Sequence, residues 1–454
     1  MNKNDKSTEL FRDAPVPQAV LKNSIPAMLA MLMVLVYNLA DTFFIGQTHD
    51  PLMVTAVSLA TPVFLIFMSV GTVFGIGGTS VISRALGEGR PDYAKKVCAF
   101  CMWACVVVGA VLLALFLIFM EPLLGLIGAS EDTWDMTKSY LTIVSCAGPF
   151  VLIGHCFSNV IRAEGQSGRA MMGQLLGNAL NVVLDPVFIL LLRWNVTGAA
   201  VATVIGNVVG AGYYILFFLS GKSTLSVRPR DVTLKDGVLS GVLAIGVPAA
   251  LGTLLMSVSQ IIANAKMSAY GDLAVAGYGV ASKVTMITGM VCVGLGQGVQ
   301  PLLGYCVGAG LRERFKKSMR FSLILGFALS AVMTGICYVF TGAIVGAFLK
   351  DRAAFDFAVL FARIHLTTSF LFGIFFVMIN AIQAAGAAKE ALIVNVSRQG
   401  LIFIPALFIL TAAVGRDGIV WAQPVADVLS LVLVIILYRG CVKKIFSRRI
   451  EGSE

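Results

Sequence analysis

The sequence predicts an all-α membrane protein with about twelve transmembrane helices, arranged as two homologous six-helix lobes. The composition predicts the membrane class, because hydrophobic residues make up 58% of the 454 residues and only 13% are charged. A soluble chain of this length needs more charge to cover its surface, whereas lipid accepts apolar side chains. A repeat between the two halves of the chain predicts the two lobes.

Long apolar segments give the number of helices. A spanning helix needs about 20 apolar residues, and such segments must be helical because lipid cannot satisfy free backbone groups. The first segment is too long for a secretory signal, so we expect it to remain as the first span. Twelve segments qualify, near residues 20–44, 54–80, 97–120, 138–160, 170–192, 197–219, 239–264, 275–305, 319–346, 357–380, 391–413 and 417–439.

The distribution of Lys and Arg predicts the orientation. If the N-terminus is cytoplasmic, the loops on that side carry roughly four times as many Lys and Arg residues as the opposite loops. This bias predicts a multi-pass protein of the bacterial cytoplasmic (inner) membrane with both termini in the cytoplasm. The net charge of +10 therefore reflects orientation, and we expect no nucleic-acid partner.

The two halves of the chain repeat at an offset of about 221 residues. Three pairs of positions carry the repeat: Pro26 with Pro248, Asn159 with Asn380, and Arg162 with Gln383. Six spans per half give repeats of parallel topology with a central cavity between them. We therefore divide the chain into an N-terminal lobe, a cytoplasmic linker and a C-terminal lobe: residues 1–219, 220–238 and 239–454.

Acidic residues within the spans are the first functional candidates. A charge at the bilayer centre costs roughly 2.5–3.5 kcal/mol, which makes Asp41 in the first span and Asp185 in the fifth notable. At about 1.5 Å per residue, both fall in the outer halves of their spans. Asn181 lies one turn from Asp185 on the same helix face, and Thr203 falls at the same depth in the sixth span. We expect these four side chains to converge.

The residue types leave the ligand of this group open. Carboxylate, amide and hydroxyl oxygens are hard ligands that suit Na⁺. Two carboxylates in a medium of low dielectric constant would also repel each other and could hold a proton. Alternatively, Asp41 only ends the first helix and Asp185 caps a break at Pro186. Asn181 and Thr203 would then make ordinary interhelical hydrogen bonds.

Three further residues within the spans need an explanation. Pro26 and Pro248 each remove a helix hydrogen bond and leave a kink, which is either a hinge or a static bend. Asp427 in the twelfth span is expected to be structural, paired with a basic residue such as Lys283.

The sequence motifs do not support nucleotide binding or enzymatic chemistry. The run from Gly221 to Thr224 resembles the end of a phosphate loop, but Leu216 replaces the required upstream glycine and a spanning helix precedes it. The three histidines are scattered, and no Gly-x-Ser-x-Gly motif occurs. We expect no enzyme, no cofactor and no nucleotide, so an ion gradient must supply the energy.

Several motifs together resemble the multidrug and toxic compound extrusion (MATE) transporters, and among them a bacterial multidrug export branch. The resemblance covers about residues 20–440. The motifs are Asn38-Leu39-Ala40-Asp41-Thr42-Phe43-Phe44-Ile45-Gly46, Ser83-Arg84-Ala85-Leu86-Gly87-Glu88-Gly89, Arg162-Ala163-Glu164-Gly165, Asn181-Val182-Val183-Leu184-Asp185-Pro186 and Gly198-Ala199-Ala200-Val201-Ala202-Thr203.

This resemblance implies a V-shaped pair of lobes and the export of amphipathic, often cationic, drug-like compounds by Na⁺ or H⁺ antiport. We expect a monomer in the lipid bilayer. The family's ion-site positions correspond to Asp41, Asn181, Asp185 and Thr203, with a backbone oxygen near Ala199. Three other positions match residues lining the same lobe: Tyr37, Tyr140 and Asn159. Some branches place a carboxylate in the seventh span, where this chain has Gln260 and Asn264.

A lipid-linked oligosaccharide flippase, from related two-lobe transporters, is the main alternative. Its cavity would need many Arg and Lys residues to bind pyrophosphate, whereas the C-terminal spans offer Lys283, Arg363 and Arg398. A membrane receptor or regulatory protein is a third class, which usually carries an additional soluble domain that we do not expect here.

Overall fold

The apolar runs form long helices in the computed structural model, which describes residues 9–48, 50–349 and 351–451. Within these ranges, side chains are described except those of residues 42, 46, 51 and 443–451. Ten helices there are long and apolar enough to cross a membrane, and two further spans each consist of a bent pair of helices. The predicted all-helical fold with about twelve spans is confirmed.

The first half of the chain contains eight described helices. A short π-helical segment, Val187–Leu191, follows the seventh. The fifth and sixth form one span with a bend of 53°. The helices are α1 (Val16–Gly46), α2 (Pro51–Gly87), α3 (Pro91–Ile118), α4 (Met120–Leu126), α5 (Glu131–Cys146), α6 (Gly148–Ala163), α7 (Ser167–Pro186) and α8 (Asn195–Leu219).

The second half repeats this order. The thirteenth and fourteenth helices form one span bent by 51°, and the π-helical segment Ser397–Phe403 joins the fifteenth and sixteenth. The helices are α9 (Val238–Met267), α10 (Asp272–Gly308), α11 (Arg312–Val339), α12 (Thr341–Gly346), α13 (Arg352–Ser369), α14 (Phe372–Ala384), α15 (Ala388–Val396), α16 (Ile404–Val414) and α17 (Arg416–Glu451).

Each half has its own apolar core, but residues near the start of the chain and at the start of α9 join the core of the opposite half. Leu10 and Phe11 are buried in a core cluster of the second half, where the Phe11 ring lies 5.7 Å from that of Tyr305. Arg314 fixes this segment by donating to the carbonyl oxygens of Phe11 and Ala14, both at 2.6 Å. The beginning of the chain therefore joins the second half to the first.

The segment between α8 and α9 is fixed to the first half. Buried Glu164 accepts hydrogen bonds from the Ser223 and Thr224 hydroxyls at 2.9 and 3.0 Å. Further along, the Trp103 indole on α3 donates to the Val227 carbonyl at 3.2 Å. This linker therefore lies against α3.

The two halves meet at the end of the molecule where α1 begins. A Cβ atom on Gly298 of α10 would lie 2.4 Å from Ser24 Cα, and one on Gly246 of α9 would lie 1.9 Å from the Val73 carbonyl oxygen. Only glycine allows such close approach of two backbones. All described glycine contacts and hydrogen bonds between the halves lie at this end. The arrangement is thus a V whose cleft opens toward the other end.

Candidate functional site

Two glycines bring α7 and α8 together beside the predicted site. A Cβ atom on Gly177 would lie 2.7 Å from the Gly206 carbonyl oxygen, and the converse distance is the same. Asn181 lies one turn beyond Gly177 on α7. Its amide nitrogen donates to the Thr203 hydroxyl of α8 at 3.3 Å. The close crossing of the helices therefore pairs Asn181 with Thr203, as the depth argument predicts for the two residues.

The regular helix α7 ends directly after Asp185. Pro186 has no backbone N–H and cannot continue the normal hydrogen-bond pattern, and the chain proceeds as the π-helical segment Val187–Leu191. Gly198 fits against this segment, since a Cβ there would lie 2.9 Å from the Phe188 carbonyl. Such π-helical turns are frequent at functional sites.

Three carboxylate oxygens of this region have no hydrogen-bond partner among the described residues. Asp185 has 0% exposure, and neither of its carboxylate oxygens accepts a hydrogen bond from a described protein group. The same holds for one oxygen of Asp41 and for the side-chain oxygen of Asn181. Asp41 lies close enough to Asp185 for the two charges to interact. Leaving these atoms buried without a partner is costly, so a cation or a proton would stabilise the arrangement.

Two tyrosines complete the group. Tyr37 of α1 and Tyr140 of α5 both interact with the Thr203 hydroxyl, and both lie within electrostatic range of the two carboxylates. Tyr140 is buried. We call the six side chains the N-lobe polar cluster: Tyr37, Asp41, Tyr140, Asn181, Asp185 and Thr203. The cluster draws on α1, α5, α7 and α8, which all belong to the first half.

Ala199 is fully buried on α8, one turn before Thr203. Asn159, by contrast, lies at the junction of the halves. Its side-chain oxygen accepts a hydrogen bond from Arg162 at 3.1 Å, and the same Arg162 donates to Gln297 of α10 at 2.7 Å. Arg162 is only 1% exposed. Arg162 belongs to a motif that the sequence shows, but the sequence does not reveal that its partner is Gln297 in the other half.

The two prolines lie within uninterrupted helices. Pro26 is in the first part of α1, between Ser24 and Met28, which both pack against glycines of α10. Pro248 is in the corresponding part of α9, two residues after Gly246. Both prolines therefore adjoin the contact between the halves.

Asp427 pairs with a basic residue, as predicted, but this residue is not Lys283. Asp427 binds Arg398 at 3.0 Å, and it also accepts hydrogen bonds from Gln423 at 2.9 Å and Thr368 at 3.3 Å. Arg398 lies on the π-helical segment Ser397–Phe403, which packs against α17. The Lys283 ammonium group lies 5.5 Å from the centre of the Phe348 ring. Unlike Asp185, Asp427 is thus well supplied with partners.

Comparison with known proteins identifies similar chains over nearly the full length. The profile of the MatE family matches residues 26–187 and 248–409, one match in each half. The multidrug export protein MepA of Staphylococcus aureus (strain MRSA252) is 30% identical over 452 residues, covering 99% of this chain and 100% of the relative. MepA of Staphylococcus haemolyticus (strain JCSC1435) is 29% identical, covering 95% of both chains.

Solved structures share the fold. One, described as the outward-facing conformation of a multidrug resistance MATE family transporter of the MOP superfamily, has a TM-score of 0.92 at 21% identity and covers 97% of this chain and 98% of that chain. A MATE in the straight conformation has a TM-score of 0.91 at 22% identity, over 97% and 99% of the two chains. A MATE in the bent conformation has a TM-score of 0.89 at 21% identity, over 97% and 98%.

Proposed function

This chain belongs to the MatE family of multidrug export transporters, and on that premise we propose that it is an ion-coupled antiporter. It exports amphipathic, often cationic, organic compounds across the bacterial cytoplasmic membrane in exchange for Na⁺ or H⁺. The observation that carries this proposal is that buried Asp185 lies near Asp41 and has no hydrogen-bond partner among the described groups. It works as a monomer, without nucleotide or cofactor, and both termini lie in the cytoplasm.

The N-lobe polar cluster is the coupling site in this proposal. Asp41 and Asp185 supply negative charge, while Asn181 and Thr203 supply neutral oxygen ligands. A backbone oxygen near Ala199 is a further ligand. This set can hold Na⁺, and the carboxylate pair can equally hold a proton. Either ligand removes the repulsion between the two carboxylates.

Helix α1 connects this site to the contact between the halves. Its residues around Pro26 pack against α10, and Asp41 in its later part lies near Asp185 of α7. A change in bend at Pro26 would therefore move Asp41 relative to Asn23 and Ser24, which lie before the bend and contact Gly298 of α10. That related folds occur in straight and bent conformations supports this mechanism.

The closed end corresponds to the cytoplasmic side under the predicted orientation, so the cleft is open to the outside. In the cycle, the compound binds the inward-open state, the lobes rock, and it leaves to the outside. Na⁺ or H⁺ then binds from the outside and resets the lobes. Transport against a gradient requires that ion and compound favour different states.

Ethidium efflux from inverted membrane vesicles tests the function. We expect an imposed Na⁺ or H⁺ gradient, applied separately, to drive transport. Asp41→Asn should lower the driven rate about tenfold or more. The control is Asp135→Asn, which removes an exposed carboxylate from α5. If neither gradient moves ethidium, the antiporter is excluded for this compound, and a lipid-linked anion becomes the next substrate.

The flippase alternative receives less support. The positive charge of Arg398 is already engaged by Asp427, and Lys283 lies over an aromatic ring. A pyrophosphate would therefore find few available cations among the described residues of the second half.

A further inference from the structure

A groove between α11 and α17 lies outside the site described above. Its volume is about 420 Å³, within the range that holds small ligands or headgroups. Five of its lining residues come from the first half of α11 and one from α17. They are Lys316, Met319, Arg320, Leu323, Ile324 and Tyr438, and together they define the α11–α17 groove.

The groove sits at the level of lipid headgroups. Helix α11 has 28 residues, which makes it about 42 Å long against a hydrocarbon core of about 30 Å. Its first turns must therefore extend into the interface. Lys316 and Arg320 are one turn apart in this part of the helix, and Leu323 and Ile324 follow one turn deeper. The groove thus has a basic outer end and an apolar inner end.

Its two cations are accessible. Lys316 and Arg320 are both exposed. Lys316 pairs with Glu313 at 2.8 Å, in a contact where both side chains remain more than half exposed. Within the described part of the chain, Arg320 has no ion pair. The groove therefore carries net positive charge facing the interface.

The internal repeat shows what covers the equivalent surface in the first half. The Lys316–Glu313 pair on α11 corresponds to the Lys95–Asp92 pair on α3, which has the same spacing and a distance of 2.9 Å. Counting from these pairs, Met319 corresponds to Cys98.

Here the linker lies on the surface. Cys98 contacts Ser226 of the linker, and Trp103, the counterpart of Ile324, donates to the Val227 carbonyl. Lys96 pairs with linker residue Asp236 at 3.3 Å. In the first half, then, the chain itself supplies apolar groups and a carboxylate to this surface.

We propose that the α11–α17 groove binds an anionic phospholipid of the surrounding bilayer. Its phosphate lies between Lys316 and Arg320, and its acyl chains run along Leu323 and Ile324, while Tyr438 of α17 lines the groove from the other helix. The lipid supplies to the second half the negative charge and apolar cover that the linker supplies to the first. Basic grooves between helices at this depth are suited to acidic headgroups. This site does not depend on the proposed antiport.

Native mass spectrometry of the full-length protein, with phosphatidylglycerol or cardiolipin against phosphatidylethanolamine, tests the site. We expect retention of the anionic lipids and weak retention of phosphatidylethanolamine. The double variant Lys316→Gln/Arg320→Gln should lower the apparent affinity for the anionic lipids about 30-fold, because each interfacial cation contributes about fivefold. The matched control Arg90→Gln/Lys95→Gln removes two cations at the start of the linker-covered α3: exposed Arg90, just before the helix, and half-buried Lys95 in its second turn.

Loss of anionic lipid only in the α11 variant supports the site. Equal loss in both variants would mean that general surface charge retains the lipid, and it would overturn the proposal. Unchanged binding in the α11 variant, or equal retention of the zwitterionic lipid, would overturn it as well. A melting curve for each variant checks that both remain folded.

Discussion

Asp185 and Asp427 are both buried carboxylates within the spans, and their surroundings differ. Asp427 is paired with Arg398 and accepts two further hydrogen bonds. Neither oxygen of Asp185 has such a partner among the described groups. A buried charge with full pairing contributes to the structure, whereas one without partners is suited to bind and release a ligand.

Neutralising Asp427 should therefore lower stability, whereas neutralising Asp185 should lower transport. Asp427→Asn leaves the largely buried Arg398 without its counterion, and we expect a loss of stability of about 3 kcal/mol. Asp185→Asn removes an unpartnered charge, so we expect undiminished stability but strongly reduced ion-driven transport. Thermal unfolding of the purified variants, combined with vesicle transport, checks both. A large stability loss in Asp185→Asn would instead assign that residue a structural role.

Position along a straight helix fixes the depth of a residue in the membrane, so the sequence predicts that Asp41, Asn181, Asp185 and Thr203 lie at one level. Depth does not determine which neighbouring side chains form a pair. Asp427 pairs with Arg398 rather than Lys283 because the π-helical segment Ser397–Phe403 packs against α17. Asn159 likewise takes Arg162 as its partner, at the junction of the halves.

The glycine contact between α7 and α8 leads to a prediction at the scale of elements. Gly177→Ala should force the two helices apart, because its Cβ would lie 2.7 Å from the Gly206 carbonyl. Overpacking of this kind costs about 1–3 kcal/mol, and it should also separate Asn181 from Thr203. We expect a lower melting temperature together with reduced transport.

Gly168→Ala is the matched control on the same helix. A Cβ at Gly168 would contact nothing within 4 Å, so alanine should be neutral or slightly stabilising. Equal melting temperatures for the two variants would show that the close crossing is unimportant.

Pro26 provides a second prediction for an element. If α1 changes its bend there during transport, Pro26→Ala should restore the missing helix hydrogen bond, stiffen α1 and slow the transport cycle about tenfold. Stability should not fall. Ethidium efflux at saturating gradient measures the rate.

The control for this variant is Pro62→Ala. Pro62 is also inside a spanning helix, α2, but it is exposed and precedes the contact with α9. Similar slowing in both variants, or none in Pro26→Ala, would argue that the kink in α1 is static.

At the scale of the whole molecule, the contact between the halves predicts a reversible lock. A Cβ on Gly241 of α9 would lie 3.4 Å from a methyl group of Val81 on α2. Cysteines at these two positions should form a disulfide that holds the halves together. We expect oxidation to stop transport and a reducing agent to restore it.

The background for this experiment needs only Cys146→Ser, since the other eight native cysteines are buried. Leu255→Cys/Gly400→Cys is the control pair within the second half, because a Cβ atom on Gly400 would lie 3.3 Å from a methyl group of Leu255. Continued transport by the oxidised Val81/Gly241 pair, with the disulfide verified, would contradict rocking lobes.

The overall architecture was predictable because the bilayer fixes helix length, and the repeat fixes the pairing of spans into halves. The bend between α5 and α6 falls at Gly148-Pro149, a pair that marks a break in a helix. The bend between α13 and α14 was not predictable, since Phe370 and Leu371 give no such signal. The attachment of Leu10 and Phe11 to the second half was also not predicted, because the sequence of a short polar N-terminal segment does not indicate which distant residues it contacts.

That attachment bears on how the protein is made. Arg314, which binds the Phe11 carbonyl, lies 303 residues after Phe11 in the chain. At about 5–20 residues per second, translation needs roughly 15–60 s to cover that distance. The first half is therefore made well before the helix that holds the segment around Phe11 in place. The contact between Phe11 and Arg314 can form only after α10 and the first turn of α11 have been synthesised.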